Sequence, residues 1–405
     1  VTRSIPGVLL AAGCLAAQSF SHRGFLENAA FLFPQEATGD RAHVVSEVLL
    51  RYEAFWKIGG PFKIAGSIDA RTDTHREVER RWHLSWQDRE QKRPAFAVRR
   101  LSAVYTRGRL TAEVGKQIIR WGKADILNPT DRFAPRDYLN PVYTEVLPLT
   151  AVRATYGNQS DSVDLVWLPR FTPSRVPLFG HRWVVLPDVP GLAIREGGAV
   201  LPGGQQAGAR WNHIGRGAEY SLSFFDGYNH LPRIDASLQS PFEAVVLRRY
   251  PRIRTWGADA AVPSGPVLLK AEAAWFNAPN RDADDYLLYV VQVERQAAGW
   301  FLVGGYAGEW VATRRTTLDF APDRGLTRAF LGRAGYTIDV NRSLAFEAAI
   351  RQNGAGVWTR FEYSQAFGQH WRGTAGFTLI RGEPGDFLGQ YRRNSYASLV
   401  LRYSF

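Results

Sequence analysis

Beyond residue 22, apolar residues recur at every second position through runs of about ten residues, each ended by a break. In RSLAFEAAIRQ, Leu344, Phe346, Ala348 and Ile350 fall on one face, and Ser343, Glu347 and Arg351 on the other. GVWTRFEYSQAF sets Val357, Phe361, Tyr363 and Phe367 against Arg360, Glu362 and Ser364, and PVLLKAEAAWF sets Val267, Leu269, Ala271, Ala273 and Trp275 against Lys270 and Glu272. A period of two is the signature of a strand whose faces meet different surroundings. The non-apolar faces carry full charges in mid-strand. A soluble sheet would need a second layer over all the apolar faces, and no matching set of amphipathic helices runs along the chain.

The breaks sharpen the picture. About 18 runs are separated by connections that alternate in length. One set is short: 59–61, 107–109, 157–160, 214–216, 263–265, 297–299, 339–341 and 368–369. The other is long: 34–41, 75–94, 122–145, 171–206, 228–249, 277–285, 313–325 and 382–394, with 353–355 its one short member. A Greek-key sandwich would mix the two kinds. Strict alternation predicts an all-β, transmembrane, antiparallel up-and-down β-barrel of about 18 strands, with 16 as the alternative count. Short periplasmic turns would lie at one rim and long extracellular loops at the other. One loop departs from the rhythm: Val78, Trp82 and Trp86 recur at i, i+4 and i+8, which predicts a short helix over the mouth.

The final stretch, SYASLVLRYSF, alternates Ala397, Leu399, Leu401, Tyr403 and Phe405 against Tyr396, Ser398, Arg402 and Ser404. This ending resembles the C-terminal signal of outer-membrane β-barrels, where a last Phe sits at the membrane interface. The resemblance implies the barrel assembly machinery as a partner of the strand ending in Phe405, and location in the outer membrane of a Gram-negative-type bacterium. The last strand is expected to close against the first and leave no edge.

Composition supports this class. The chain holds 13 Trp, 16 Tyr and 23 Phe, which suits aromatic girdles, although a carbohydrate-binding sandwich would share that richness. Mean hydropathy is −0.24, and no stretch beyond residue 20 approaches the ~18 apolar residues of a transmembrane helix. Cys14 stands alone, so no disulfide or cysteine-based metal site is expected. It lies in LLAAGCLAA, which resembles a lipoprotein box but has Ala11 where Leu, Ile or Val is usual. Arg3, the apolar run Ile5–Ala17 and a cleavage region at Ser19–Ser21 together read as a signal peptide. The expected division is a leader at 1–21 and one barrel domain at 22–405. The formal net charge of +12 points to acidic partners such as lipopolysaccharide phosphates around the bilayer. No zinc-finger spacing, RNP pattern or dense basic block points to nucleic acid.

The most distinctive stretch is EVGKQIIRWGKADILNPTDRFAPRDYLNP, residues 113–141. It resembles a group of large porin-like outer-membrane proteins that carry G-[KR]-Q-x-x-x-W-G at the top of a strand and then an Asn-Pro loop. The alginate-export type of 18-stranded porin looks like a relative. In physical terms, Asn128-Pro129 and Ala134-Pro135 stiffen the segment and hold Asp131, Arg132, Arg136 and Asp137 on it. Two readings stay open: a constriction loop folded into the pore, or a rim brace whose Asp and Arg residues satisfy one another. The expected pore-lining and selectivity residues are Arg100, Glu113, Lys123, Asp131, Arg132, Arg136, Asp137, Arg153, Arg351, Arg360 and Arg372. Strand parity adds Arg51, Lys63, Arg71, Arg170, Arg210, Lys270, Arg333 and Arg402 to the inner face. It also places there Glu47, Glu53, Asp69, Asp164, Glu219, Asp259, Glu272, Glu294, Asp339, Glu347 and Glu362. The signs nearly balance, which sits poorly with a purely electropositive export pore and predicts ion-pair ladders. Charges on the lipid face would cost about 2–4 kcal/mol at mid-membrane, so they must point inward whatever the function.

Other chemistry has little support. His213 near Ser221 and Ser223 is the only hint of a lipid hydrolase. Asp282–Asp285 (DADD) reads as a calcium-binding tip or a solvated turn. The histidines show no zinc spacing, so no metal site and no cofactor are expected. The expectation is therefore not an enzyme but a porin or channel for passive transport of small anionic or sugar-like solutes, or for export of an acidic polymer. The alternatives are the outer-membrane component of an export complex, with its partners, a structural barrel, and a barrel lipid hydrolase.

Overall fold

The computed structural model describes residues 19–185, 189–315 and 320–405. The expected leader lies outside the described residues through position 18, Cys14 included; Ser19–Ser21 belong to the first strand. The barrel strands are β1 Ser19–Leu32, β2 Val44–Gly59, β3 Phe62–Asp73, β4 Phe96–Arg107, β5 Leu110–Gln117, β6 Leu149–Gly157, β7 Asp161–Leu168, β8 Gln206–Ile214 and β9 Glu219–Tyr228. The second half comprises β10 Arg252–Ser264, β11 Val267–Asn277, β12 Asp285–Ala297, β13 Trp300–Thr313, β14 Ala329–Thr337, β15 Arg342–Arg351, β16 Gly356–Phe367, β17 Trp371–Gly382 and β18 Tyr396–Ser404. Each pairs antiparallel with its neighbour in sequence, and β18 pairs with β1, so the sheet is a closed 18-stranded cylinder.

Closure uses the last residue. Gly24 N–H donates to the Phe405 carbonyl at 2.8 Å, and Phe405 N–H returns to Gly24 at 2.9 Å. The Phe405 ring covers Gly24 so closely that a Cβ there would meet it at 2.5 Å. A terminal aromatic thus fills the space a side chain would take on the first strand.

Register confirms the two faces. Arg51 pairs with Asp69 on the inside, while Leu50 pairs with Ala70 and Tyr52 with Ile68 on the outside. The outer face is apolar and open around the cylinder, as at Leu50, Ile68, Leu165, Leu222, Val291 and Leu399. Exposed aromatics gather near both rims: Trp56, Tyr156, Trp300, Trp371 and Phe405 beside short turns, and Trp167, Trp256, Trp310 and Phe330 toward the long loops. Such girdles suit the two interfaces of a bilayer. The eight short turns and nine longer connections fall on opposite rims in the expected order. At the two-residue turn after β4, Gly108 takes a φ of +58°, which favours glycine.

The longer loops hold structure that periodicity did not reveal. Ala193–Val200 runs parallel to Glu243–Arg249, which pairs antiparallel with Arg233–Ser240 to make a three-stranded sheet at the rim. A one-turn helix, Pro322–Gly325, and a 3-10 turn, Gly389–Asn394, face it. The helix expected over 75–94 does not form. Val78 bridges Arg93, and Leu84–Ser85 pairs parallel with Phe96–Ala97. Arg76 and Asp88 have φ of +60° and +50°, outside helical space. Glu77 and Asp88 are drawn into buried ion pairs, Val78 is buried, and Trp82 is left exposed. The stripe is dispersed as Glu77 pairs with Arg93 of the same segment and Asp88 with Lys116 of β5.

Candidate functional site: an inward loop and the passage beside it

Residues 118–148 leave the top of β5 and turn into the barrel. Gly122 makes the turn possible: its φ is +95°, and a Cβ there would meet the Glu272 carboxylate at 2.7 Å. Glu272 projects inward from β11 and clasps the loop. It accepts from Lys123 N–H at 2.9 Å, Ala124 N–H at 3.1 Å, and both Thr130 N–H and Oγ1 at 2.8 Å. Trp121 donates Nε1–H to Asp164 on β7 at 3.0 Å, and its N–H to Asp131 at 2.9 Å. Phe133 stands edge-on to Trp121 and to Phe225. Ile119, Trp121 and Phe133 then form one buried core with Leu149, Val166, Leu168, Phe225, Phe276 and Leu288 from the inner wall. The inner face of β6–β12 is therefore apolar near the long-loop rim, where water would otherwise stand.

Farther along, Leu127 packs on Ala307, Ala329, Leu331 and Ala349 of β13–β15. Lys123 meets Glu219 at 2.6 Å, and Lys270 is shared by Asp125 at 2.8 Å and Glu294 at 2.7 Å. The loop then reaches the other side. Glu145 meets Arg51, Arg71 and Arg99. Arg93 joins Glu47, Glu77 and Asp137, and Arg175 links Asp137 to Asp88, which also holds Lys116. Burial pushes the Glu145 carboxyl up, but the guanidiniums of Arg71, Arg99 and Arg51 reverse this and hold it well below the usual range.

The expected site residues have different fates. Arg100 pairs with Glu113 at 2.9 Å, and Arg153 with Asp164 at 2.8 Å, as rungs on the wall. Asp131, Arg132, Arg136 and Asp137 do not satisfy one another as the brace reading expected. Asp131 pairs with Arg120, and Asp137 with Arg93 at 2.9 Å and Arg175 at 3.3 Å. Burial pushes the Asp131 carboxyl up despite Arg120 beside it. Arg132 lies over the Phe276 ring, 3.8 Å from Asp323. Arg136 has no carboxylate within 4 Å among the described residues, and with Asp131 and Arg132 it lines a cavity of ≈ 150 Å³. Arg351 is occupied by Asp386 at 2.9 Å and the carbonyls of Gly325 and Thr327. Arg360 meets Glu362, while among the described residues Arg372 reaches only the Ser364 hydroxyl, at 3.3 Å.

Other expectations need correction. Arg170 is exposed in the loop after β7, not on the wall, and Asp339 sits in a short turn capping Asn341 and Arg342. In DADD, Asp284 and Asp285 are buried against Arg324 and Arg315 of the next loop, so that turn is neither solvated nor open. His213 lies outside with Trp211 and Tyr220, whereas Ser221 and Ser223 point inward, so no hydrolase pair forms. Sequence reasoning missed Arg93, Arg99, Glu145 and Arg175, and it gave Glu272 no partner. The W-G pair was the one usable signal for the clasp.

The interior is open on the remaining side. A cavity of ≈ 370 Å³ lies between the loop (Asp125, Ile126, Pro141–Thr144) and the inner wall of β14–β17. Arg333, Glu347, Trp358 and Arg360 line it. It shares Trp183, Phe387 and Tyr391 with a larger cavity of ≈ 600 Å³ beneath the rim sheet. Toward the short turns, the same inner face presents Arg372, and Arg402 paired with Glu27.

The fold is similar to that of a BenF-like porin from Pseudomonas fluorescens Pf-5 (TM-score 0.56, 10% identity, 97% of this chain and 99% of that chain). It is also similar to OccAB4 of Acinetobacter baumannii (0.56, 9%, 96% and 98%) and OpdQ of Pseudomonas aeruginosa (0.53, 9%, 96% and 98%). No family model and no curated protein matches the sequence. At such identity the likeness concerns the fold, that of an 18-stranded outer-membrane porin. The narrower resemblance to alginate-export porins rests on residues 115–122 and the Asn128-Pro129 loop after them, and these structures do not show it.

Proposed function

We propose that this chain is an outer-membrane porin that passes small solutes down their gradient, with a preference for small organic anions. The observation that carries the proposal is the passage between the inward loop and β14–β17. Its wall, extended to the short-turn end, presents Arg333, Arg360, Arg372 and Arg402 against Glu27, Glu347 and Glu362; Asp125 of the facing loop is paired with Lys270, and among the described residues Arg372 has no carboxylate partner. Fixed charges of this kind select by field and width. Trp183, Trp358, Phe387 and Tyr391 add aromatic surface suited to a sugar ring or the apolar body of an organic acid. Export of an acidic polymer is less well supported, because the 118–148 loop fills the sector beneath β6–β12.

Conductance and reversal potential in a planar bilayer under a salt gradient test the proposal. Steady conductance with anion preference is expected, and that preference should weaken in Arg360→Ala and Arg372→Ala. A silent barrel would overturn it in favour of a plugged conduit or a structural barrel.

A further inference from the structure

Away from the passage, three long loops converge on histidines and carboxylates. Asp40 comes from the β1–β2 connection, His75 and Glu77 from β3–β4, and His181 from β7–β8. One ligand atom from each of His75, Glu77 and His181 lies within 4.8 Å of the other two. His75 Nδ1 stands 3.3 Å, and His181 Nδ1 3.6 Å, from the same oxygen, Glu77 Oε1. Ligands held about 2.0–2.1 Å from a tetrahedral zinc ion are about 3.3–3.4 Å apart, so the two imidazole-to-carboxylate spacings are close to a coordination edge.

Three further observations point to a ligand. His181 Nδ1 is buried and has no hydrogen-bond partner. His75 Nε2 lies 2.9 Å from Asp40 Oδ2, the arrangement in which a metal-bound imidazole gives its other N–H to a carboxylate. Asp40 is itself fixed by the N–H groups of Ala42 at 2.9 Å and Arg182 at 3.0 Å. Beside His75 and Glu77 there is a cavity of ≈ 20 Å³, enough for one water. Nearby cations do not occupy the shared oxygen. Arg93 takes the other one, Glu77 Oε2, at 3.0 Å and is also matched by Glu47 and Asp137, while Arg182 Nε stays 3.7 Å from Asp40.

We propose that His75, Glu77 and His181 bind a zinc-class divalent transition metal that fastens these loops at the rim, with Asp40 as a positioning residue. Two imidazoles and one carboxylate suit zinc rather than calcium or magnesium, which take oxygen ligands. The site is independent of the transport reading.

The test uses the purified full chain in detergent, stripped with chelator and titrated with ZnCl2, with CoCl2 as a spectroscopic probe. One zinc per chain is expected, with the visible absorption of low-coordinate cobalt, discharged by zinc. Asp40→Asn should weaken zinc binding by about 10–100-fold at unchanged stoichiometry. His181→Gln should weaken it more, and His83→Gln, at a more exposed histidine of the same loop, should leave it unchanged. Heat-modifiable gel mobility identifies the folded variants. Less than one zinc per chain at saturation, or parental affinity in folded His181→Gln or folded Asp40→Asn, would overturn the proposal. His75 would then be a protonated bridge between Asp40 and Glu77.

Discussion

The 118–148 loop is held by apolar surface under β6–β12 and by charge under β2–β5. On the first side, Ile119, Trp121 and Phe133 are buried against Leu168, Phe225, Phe276 and Leu288. Each such side chain contributes roughly 1.5–3 kcal/mol, with little dependence on salt or moderate changes of pH. On the second side, Arg51, Arg71, Arg93 and Arg175 are enclosed with Asp69, Asp88, Asp137 and Glu145. Buried pairs of this kind return little beyond the cost of removing both ions from water, but losing one partner is costly. The comparison teaches that a charged inner face is not a pore lining. The inward charges under β2–β5 mostly position a loop, and the ≈ 370 Å³ cavity lies along the opposite wall.

The largest effect is expected on the apolar side. Phe133→Ala should cost about 4 kcal/mol through lost burial and a cavity. Thermal unfolding in detergent would show the loss, and single-channel recordings should become larger and noisier as the loop loosens. A quiet parental conductance would mean that the ionic side alone holds the loop.

On the ionic side, Arg93→Met should cost about 3 kcal/mol, because Asp137, Glu77 and Glu47 lose a shared partner. Adding Asp137→Leu should recover part of that loss, since it removes one of the three carboxylates that Arg93 neutralised, and Arg175 keeps Asp88. If the double variant is less stable than the single, the uncompensated-charge account fails.

Glu272→Gln tests the polar clasp on the β6–β12 side. Its amide can still accept but loses charge-assisted bonds to Lys123, Ala124 and Thr130, so about 1.5–3 kcal/mol should be lost. Protease sensitivity at Lys123 is a direct measure, and an unchanged digestion rate would remove Glu272 from the set of anchors.

The smallest effect separates the regions by pH. Because the Glu145 pKa is depressed on folding, its contribution is complete above the ordinary carboxylate range and is lost as pH falls below about 4.3 toward the folded value. Acidification should therefore loosen the β2–β5 side first. Hydrogen exchange around residues 143–147 should accelerate before exchange around 119–121. Glu145→Gln should flatten that response, whereas a uniform response along the loop would show no such division.

How much of this could be read from the chain divides by distance. Alternation is a property of one strand, so Leu50 and Arg51 could be assigned to opposite faces from their own neighbours. Loop lengths, even strand count and closure at Phe405 follow from the same local rhythm and from the requirement that every backbone group in a bilayer be paired. The rigidity of 113–141 was legible in its prolines.

Only tertiary structure decided what those residues meet. Glu272 binds Lys123 across 149 positions, and Asp137 takes Arg93 and Arg175 rather than its neighbour Arg136. Likewise, the 75–94 segment relinquished a helical stripe because Glu77 and Asp88 found buried cations. His75 reached His181 through two long loops whose paths no periodicity encodes. The physical reason is the same throughout. Strand pattern is set by solvent on two faces of a regular backbone, whereas the partners of a buried charge or loop aromatic are set by where irregular segments cross the interior.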